Sequence, residues 1–263
     1  MQSKTFPNAH RIAVAALGAL SVIFAWELIV RYGQVPTYII PAPAVVGRAL
    51  LSDWGILVPA FVNTAGTAIC ALFLATVGGV AVAVILVQSR IIELFFAPIT
   101  VFVQVTPIVA VAPLILIYAP DPRSAQLSCA FVVTFFPIMM NTLQGLKDVD
   151  RDRADTVRLY TNSRWKMLIL LQMPSAMPSF FAGLKVGGGL ALVGAVVAEF
   201  AAGSAGANSG LAFRLLEAQY RLNTPRLFAA LVLLALLGAA IFLTISAVDR
   251  IVLRHWYASR AVA

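Results

Sequence analysis

Charge is scarce in this chain: Asp, Glu, Lys and Arg supply only 11% of its 263 residues, while 61% are hydrophobic and the mean hydropathy is +0.92. One soluble core of this length cannot hide so much apolar surface, which excludes a water-soluble globular domain and makes lipid the solvent. Cysteine and histidine are almost absent, with two of each. Cys70 and Cys129 fall in apolar runs with no metal or redox spacing and read as small packing residues. His10 and His255 stand near opposite ends of the chain, where a polar ring at headgroup level is ordinary. There is no His-Glu-x-x-His, no nucleophile elbow and no cluster of histidines and carboxylates, so no catalytic or metal site is expected. A phosphate-binding loop is missing too. It needs Gly-Lys-Ser/Thr, and the four lysines, Lys4, Lys147, Lys166 and Lys185, follow Ser, Leu, Trp and Leu. The chain should therefore carry neither an ATPase site of that kind nor a cofactor of its own. The net charge of +8 does not point to nucleic acid, because no aromatic-basic platform or zinc pattern accompanies it.

What is present is a set of long apolar runs, at about 12–30, 60–87, 94–118, 125–143, 176–199 and 227–252. At ~1.5 Å per residue each reaches roughly the ~30 Å of a bilayer core, which predicts an all-α membrane protein with six spans. The first run is too long for a signal-peptide core, ends in Trp26-Glu27 and has no cleavage site after it, so it reads as a retained helix. The expected organisation is a cytoplasmic segment over 1–11, one membrane domain over 12–252 and a cytoplasmic tail over 253–263. With the N-terminus cytoplasmic, twelve basic residues fall in inside loops and six outside, so both ends are predicted to face the cytoplasm. Trp26, Trp54, Trp165 and Trp256 all lie near predicted helix ends, as an interfacial belt requires.

Several polar and kinking residues sit at lipid depth. The third run holds Gln104, Thr106, Pro107 and Pro113, and the fourth Thr134, Pro137 and Asn141. Each proline frees a carbonyl that a neighbour or a cavity must satisfy. Kinked packing and pore lining are both open for any one of them; together they place a candidate pathway in the third to fifth runs. In the fifth run Lys185 and Glu199 are 14 residues apart, about 21 Å along a helix, so they cannot pair with each other. Lys185 needs a polar partner, a cavity or snorkelling, and Glu199 suits either the substrate path or packing near the outer end.

The loop over 145–175 is the longest polar passage. Asp148, Asp150 and Asp152 suit the start of a short helix, in which Ala154, Val157 and Tyr160 recur every three residues on one face. Asp155 and Arg158 form an i,i+3 pair on it. Thr161-Asn162-Ser163 should break that helix, and Ser163 can cap a second segment running from Arg164 to Pro174. Such a helix suits docking into a cytoplasmic partner or lying on the membrane surface.

The spacing of this loop resembles the EAA loop of binding-protein-dependent ABC importer permeases. Asp155-Thr156-Val157 falls on the triplet, Thr161 on the glycine and Leu171-Gln172-Met173-Pro174 on the closing Ile-x-Leu-Pro. FFPIMMNTLQGLKDVD before it, FFAGLKVGGGLALVGAVVAEF after it and TPRLFAALVLLALLG further on are similar to the nitrate, sulfonate and taurine branch, over roughly residues 36–257. The resemblance implies a type I importer permease fold in a bacterial inner membrane, with a cytoplasmic coupling helix containing Asp155, Thr156, Val157, Arg158, Tyr160, Thr161, Asn162 and Pro174. It also implies a second permease copy and two ABC ATPase subunits, which bind the ATP and magnesium. A periplasmic or lipid-anchored solute-binding protein would deliver the solute. Thr161 is β-branched where the family has glycine, so a left-handed turn would suit Asn162 better. The passage GANSGLAFRLLEAQYRLNTPRLFAA leans toward the vitamin-precursor and aromatic-acid subgroup rather than nitrate, taurine or sulfonates. The rival readings are an ion-coupled secondary transporter, which should show inverted repeats and paired carboxylates, and a purely structural membrane subunit.

Overall fold

The computed structural model describes residues 8–161, 163–203 and 209–260; most of the expected N-terminal segment 1–11, the last three residues of the expected tail 253–263, and Asn162 lie outside them. Its helices are α1 (Asn8–Tyr32), α2 (Pro43–Ser52), α3 (Trp54–Gln88), α4 (Arg90–Val105), α5 (Ile108–Tyr118), α6 (Pro122–Lys147), α7 (Arg151–Tyr160), α8 (Arg164–Met167), α9 (Met173–Ala202), α10 (Leu211–Tyr220) and α11 (Thr224–Arg260). No strand occurs among the described residues. Four helical stretches are long and apolar enough to cross a membrane: α3, α6, Arg164–Ala202 and α11. The pair α4–α5 makes a fifth if taken as one broken span.

The centre of the molecule is α3, α6 and α9, and small residues set how closely they approach. On Gly187 an added Cβ would lie 2.8 Å from Ile138, and on Gly194 one would lie 2.6 Å from the backbone of Ala130, so only glycine lets α9 seat on α6 at this depth. Ala68, Ala71, Ala130, Ala191 and Ala195 fill the same interior. Membrane helices gain no hydrophobic drive from lipid, so such close packing is what holds them together.

Two expectations about the runs need correcting. The stretch 94–118 is not one straight helix: α4 and α5 meet at 98°. Pro107 has no N–H to donate, and it pushes Thr106 into extended backbone, φ −72° and ψ 122°, so the helix must stop there. Conversely, the fifth span does not begin at 176. Helix continues unbroken from Arg164 to Ala202, 39 residues, through a π turn at Leu168–Gln172. That turn sits just ahead of Pro174, where the widened spacing absorbs the lost donor and the ring.

At the α10 end, Arg226 at the start of α11 grips Asp53 between α2 and α3, with Nε to Oδ2 at 2.6 Å and Nη2 to Oδ1 at 3.0 Å. Lys147 at the end of α6 pairs with Glu93 in α4 and ties the opposite end together.

Candidate functional site

The polar loop folds as its caps dictate. Asp150 accepts the Asp152 N–H at 2.9 Å to start α7, and the Ser163 hydroxyl accepts the Lys166 N–H to start α8. Arg158 donates to Asp155 at 3.0 Å on the surface of α7. Thr161 is extended, φ −159° and ψ 135°, and its hydroxyl accepts the Ser163 N–H at 3.2 Å; the left-handed turn is not at this residue. Ala154 and Val157 are half-buried. Tyr160 is 86% exposed, and so is Leu159, which the three-residue repeat passes over. The outward apolar pair of this helix is therefore Leu159–Tyr160, with Trp165 exposed just beyond. A cleft of about 310 Å³ opens beside it, bordered by Gln88, Arg158, Thr161, Arg164 and Gln172.

A second feature lies at the α4–α5 bend, a cavity of about 450 Å³ between that bend and α6. Phe102, Gln104, Thr106, Val133, Phe136 and Pro137 are among its lining residues, and none of its lining residues carries a charge. Gln104 and Thr106, both expected in the pathway, thus stand at one cavity. Thr106 bonds its hydroxyl back to the Phe102 carbonyl at 2.7 Å. Thr134 and Asn141 lie one face round on α6, in the seam with α9. The Thr134 hydroxyl donates to the Ala130 carbonyl at 2.6 Å, the Asn141 amide donates to the Pro137 carbonyl at 2.8 Å, and their side chains abut Gly187 and Gly183.

The two ionisable residues of the fifth run part company. Lys185 turns to α11 and pairs with Asp249, which is buried. The need for a partner was legible from the depth of Lys185, but nothing in the sequence marked Asp249 as that partner. Glu199 is 2% exposed and stands at the far end of α9, where it accepts the Thr64 hydroxyl at 2.7 Å and the Ala212 N–H at 2.9 Å. Thr64 in turn accepts the Leu211 N–H at 2.9 Å. Thr64 had no signal in the sequence, since one hydroxyl in an apolar run is unremarked. No cluster of His, Cys, Asp and Glu able to hold a metal occurs among the described residues.

Residues 75–255 match the family model described as binding-protein-dependent transport system inner membrane component. The riboflavin transport system permease protein RibX of Chloroflexus aurantiacus is 31% identical over 238 residues, 89% of this chain and 86% of RibX. The formylaminopyrimidine transport permease protein ThiX of Halalkalibacterium halodurans is 27% identical over 235 residues, covering 89% and 92% of the two chains. A probable ABC transporter permease protein of Haemophilus influenzae is 26% identical, covering 85% of this chain and 90% of its own length.

Proposed function

The chain belongs to the binding-protein-dependent transport system inner membrane component family, permease subunits of ABC importers, and from that premise we propose that it passes a neutral heteroaromatic vitamin or vitamin precursor. The observation that supports this solute class is the cavity at the α4–α5 bend. Phe102 and Phe136 offer aromatic faces, Gln104 and Thr106 offer an amide and a hydroxyl, and no Lys or Arg is present to attract a sulfonate or nitrate. The names of RibX and ThiX, permeases for riboflavin and a formylaminopyrimidine, agree with it.

In this reading α1 is the sixth span and both ends are cytoplasmic, as the basic residues suggest. The exposed apolar residues of α4 and α5, among them Phe95, Phe102, Val109 and Ile117, are covered by a second copy of the chain. The helix α7 is the coupling helix: Leu159 and Tyr160 seat in a separate ATPase subunit that binds the ATP and magnesium. A solute-binding protein meets the opposite face, where α10 lies.

The test is reconstitution of the chain with its ATPase and binding protein in lipid vesicles. ATP-driven uptake of riboflavin or a formylaminopyrimidine, without uptake of an alkanesulfonate, is expected. Accumulation of the sulfonate would overturn the solute class, and uptake driven by an ion gradient without the ATPase would support a secondary transporter instead. Orientation is checked with single cysteines at Asp121 and Arg151 in a variant lacking Cys70 and Cys129. An impermeant thiol reagent should label position 121, but not 151, from outside the cell.

A further inference from the structure

Glu199 is buried deep in the protein, and its partners are neutral donors rather than a cation. Its Oε1 takes the Thr64 hydroxyl at 2.7 Å and its Oε2 takes the Ala212 N–H at 2.9 Å, while Thr64 takes the Leu211 N–H at 2.9 Å. The first N–H groups of α10 would otherwise be without helical partners, and the N-terminal end of a helix favours a negative charge. Asn63 donates to the Ser209 carbonyl at 3.4 Å and closes the approach to α10. The fit leaves no slack. A Cβ on Gly210 would lie 2.0 Å from Glu199 Oε1, so glycine is required at that place for the carboxylate to be there.

Glu199 also stands one turn before the end of a long rod. Helix runs from Arg164, immediately after α7, to Ala202, where Gly203 at φ +53° stops it. At ~1.5 Å per residue its 39 residues span roughly 58 Å. One end of this rod adjoins the exposed Leu159–Tyr160 pair, and the other end is joined through a buried carboxylate to a separate short helix.

We propose that Glu199 is the positioning residue that makes α10 follow α9, so that movement of the α7 end is carried along the rod to the outer surface where a solute-binding protein meets the chain. This rests on the function proposed above and adds the element that links the two faces. Glu199 touches no solute in this account. It acts by holding the start of α10, with Thr64 and Gly210 completing the joint.

The experiment uses the reconstituted complex of permease, ATPase and binding protein. In Glu199→Ala, ATP hydrolysis without binding protein should stay within about twofold of wild type, while stimulation by solute-loaded binding protein should fall at least about tenfold. Gly210→Ala should do the same from the other side of the contact. The double variant should be no worse than either single one, because removing the carboxylate makes room for the new methyl group. Glu199→Gln keeps the size but sets an amide against the Ala212 N–H if its oxygen stays on Thr64, and should lose stimulation to an intermediate degree. If the alanine variants fail to assemble, the glutamine variant decides. Full stimulation in Glu199→Ala or in Glu199→Gln, equal loss of basal and stimulated hydrolysis, or a double variant with multiplied defects would overturn the proposal. Spin labels at Phe200 and Gln219, in a variant without Cys70 and Cys129, give a readout that does not depend on transport. Their distance distribution should broaden in Glu199→Ala, so an inactive wild-type complex would count against the function and leave the joint to be judged by distance.

Discussion

At one end of the rod Arg164–Ala202, α7 turns Leu159 and Tyr160 outward and keeps its shape with the surface contacts of Asp150, Asp155 and Arg158. At the other end, Glu199, Thr64, Leu211 and Ala212 form a buried network with no room for a methyl group. Exposed caps and i,i+3 pairs are worth about 0.3–1 kcal/mol each and cost little to rearrange. A buried carboxylate with satisfied partners is costly to disturb, because removing one partner leaves the other desolvated and unpaired. In the proposed reading, the difference separates a surface covered by a partner from a joint that keeps its geometry. Substitutions at the first should change assembly without changing the fold, and substitutions around the second should change stability or coupling while leaving the first intact.

The largest effect is expected from changing both Leu159 and Tyr160 to Asp. If they are central contacts in the ATPase, each contributes on the order of 1–3 kcal/mol, so affinity should fall by roughly tenfold or more per residue. Pull-down of the ATPase by matched amounts of permease measures this, and the thermal midpoint of the permease alone should not move. Normal ATPase binding by this variant would leave α7 as an ordinary membrane-surface helix. A smaller and opposite pattern is expected from Arg226→Ala. It strips the forked partner from Asp53, both being only slightly exposed, and should lower stability by about 1.5–3 kcal/mol while ATPase pull-down stays normal. Arg226→Lys should recover only part of the loss, since an ammonium cannot reproduce the two parallel bonds.

The same contrast explains how much could be read beforehand. Long apolar runs announce themselves, because a span must be apolar along most of its length, and the Ser163 cap is a local signal that reads correctly. The bend at Thr106–Pro107 was present in the sequence as a proline inside a run. Whether such a proline kinks a helix or ends it depends on what the neighbouring helices satisfy, and that is not local. Gln104 and Thr106 could be picked as polar residues at lipid depth, yet nothing in the sequence separates them from Thr134 and Asn141, which stand in the seam with α9 instead of at the cavity. Asp249 and Thr64 lie 64 and 135 residues from the groups they serve, a separation no periodicity can bridge. Leu159 was missed for a different reason. A three-residue repeat collects one narrow face, Ala154, Val157 and Tyr160, whereas a docking helix also needs apolar residues beside that face.

The α10 end allows a milder test by pH. Arg214 donates to Glu217 in α10 and, with Arg221 nearby, holds that carboxyl below its ordinary value of 4.5. A depressed folded-state value means the pair's contribution is fully present above the unfolded value and is lost only as pH falls through the folded one. The contribution of Glu217 should therefore be flat from pH 8 to pH 5.5, so Glu217→Gln should shift stability by the same amount at both. A stability loss within that window that Glu217→Gln abolishes would show that the carboxyl titrates higher than these contacts allow.

The smallest effect, and the one that bears most directly on the turn, is Thr161→Gly. If this position carried the left-handed conformation that the resembling loops give to glycine, glycine would relieve strain and assembly would improve. Here Thr161 is extended at φ −159°, so there is no such strain to relieve. Glycine would instead remove the hydroxyl that accepts the Ser163 N–H at 3.2 Å, and it would loosen a stiff β-branched residue between α7 and α8. A cost of about 0.5–1 kcal/mol follows, a two- to fivefold shift in the ATPase concentration needed for half-maximal pull-down. Thr161→Ala separates the two contributions, since it loses the hydroxyl while keeping most of the backbone restraint, and it should fall between wild type and glycine. Tighter ATPase binding by the glycine variant would mean that the turn reverses its backbone on docking, and that the extended form belongs only to the undocked chain.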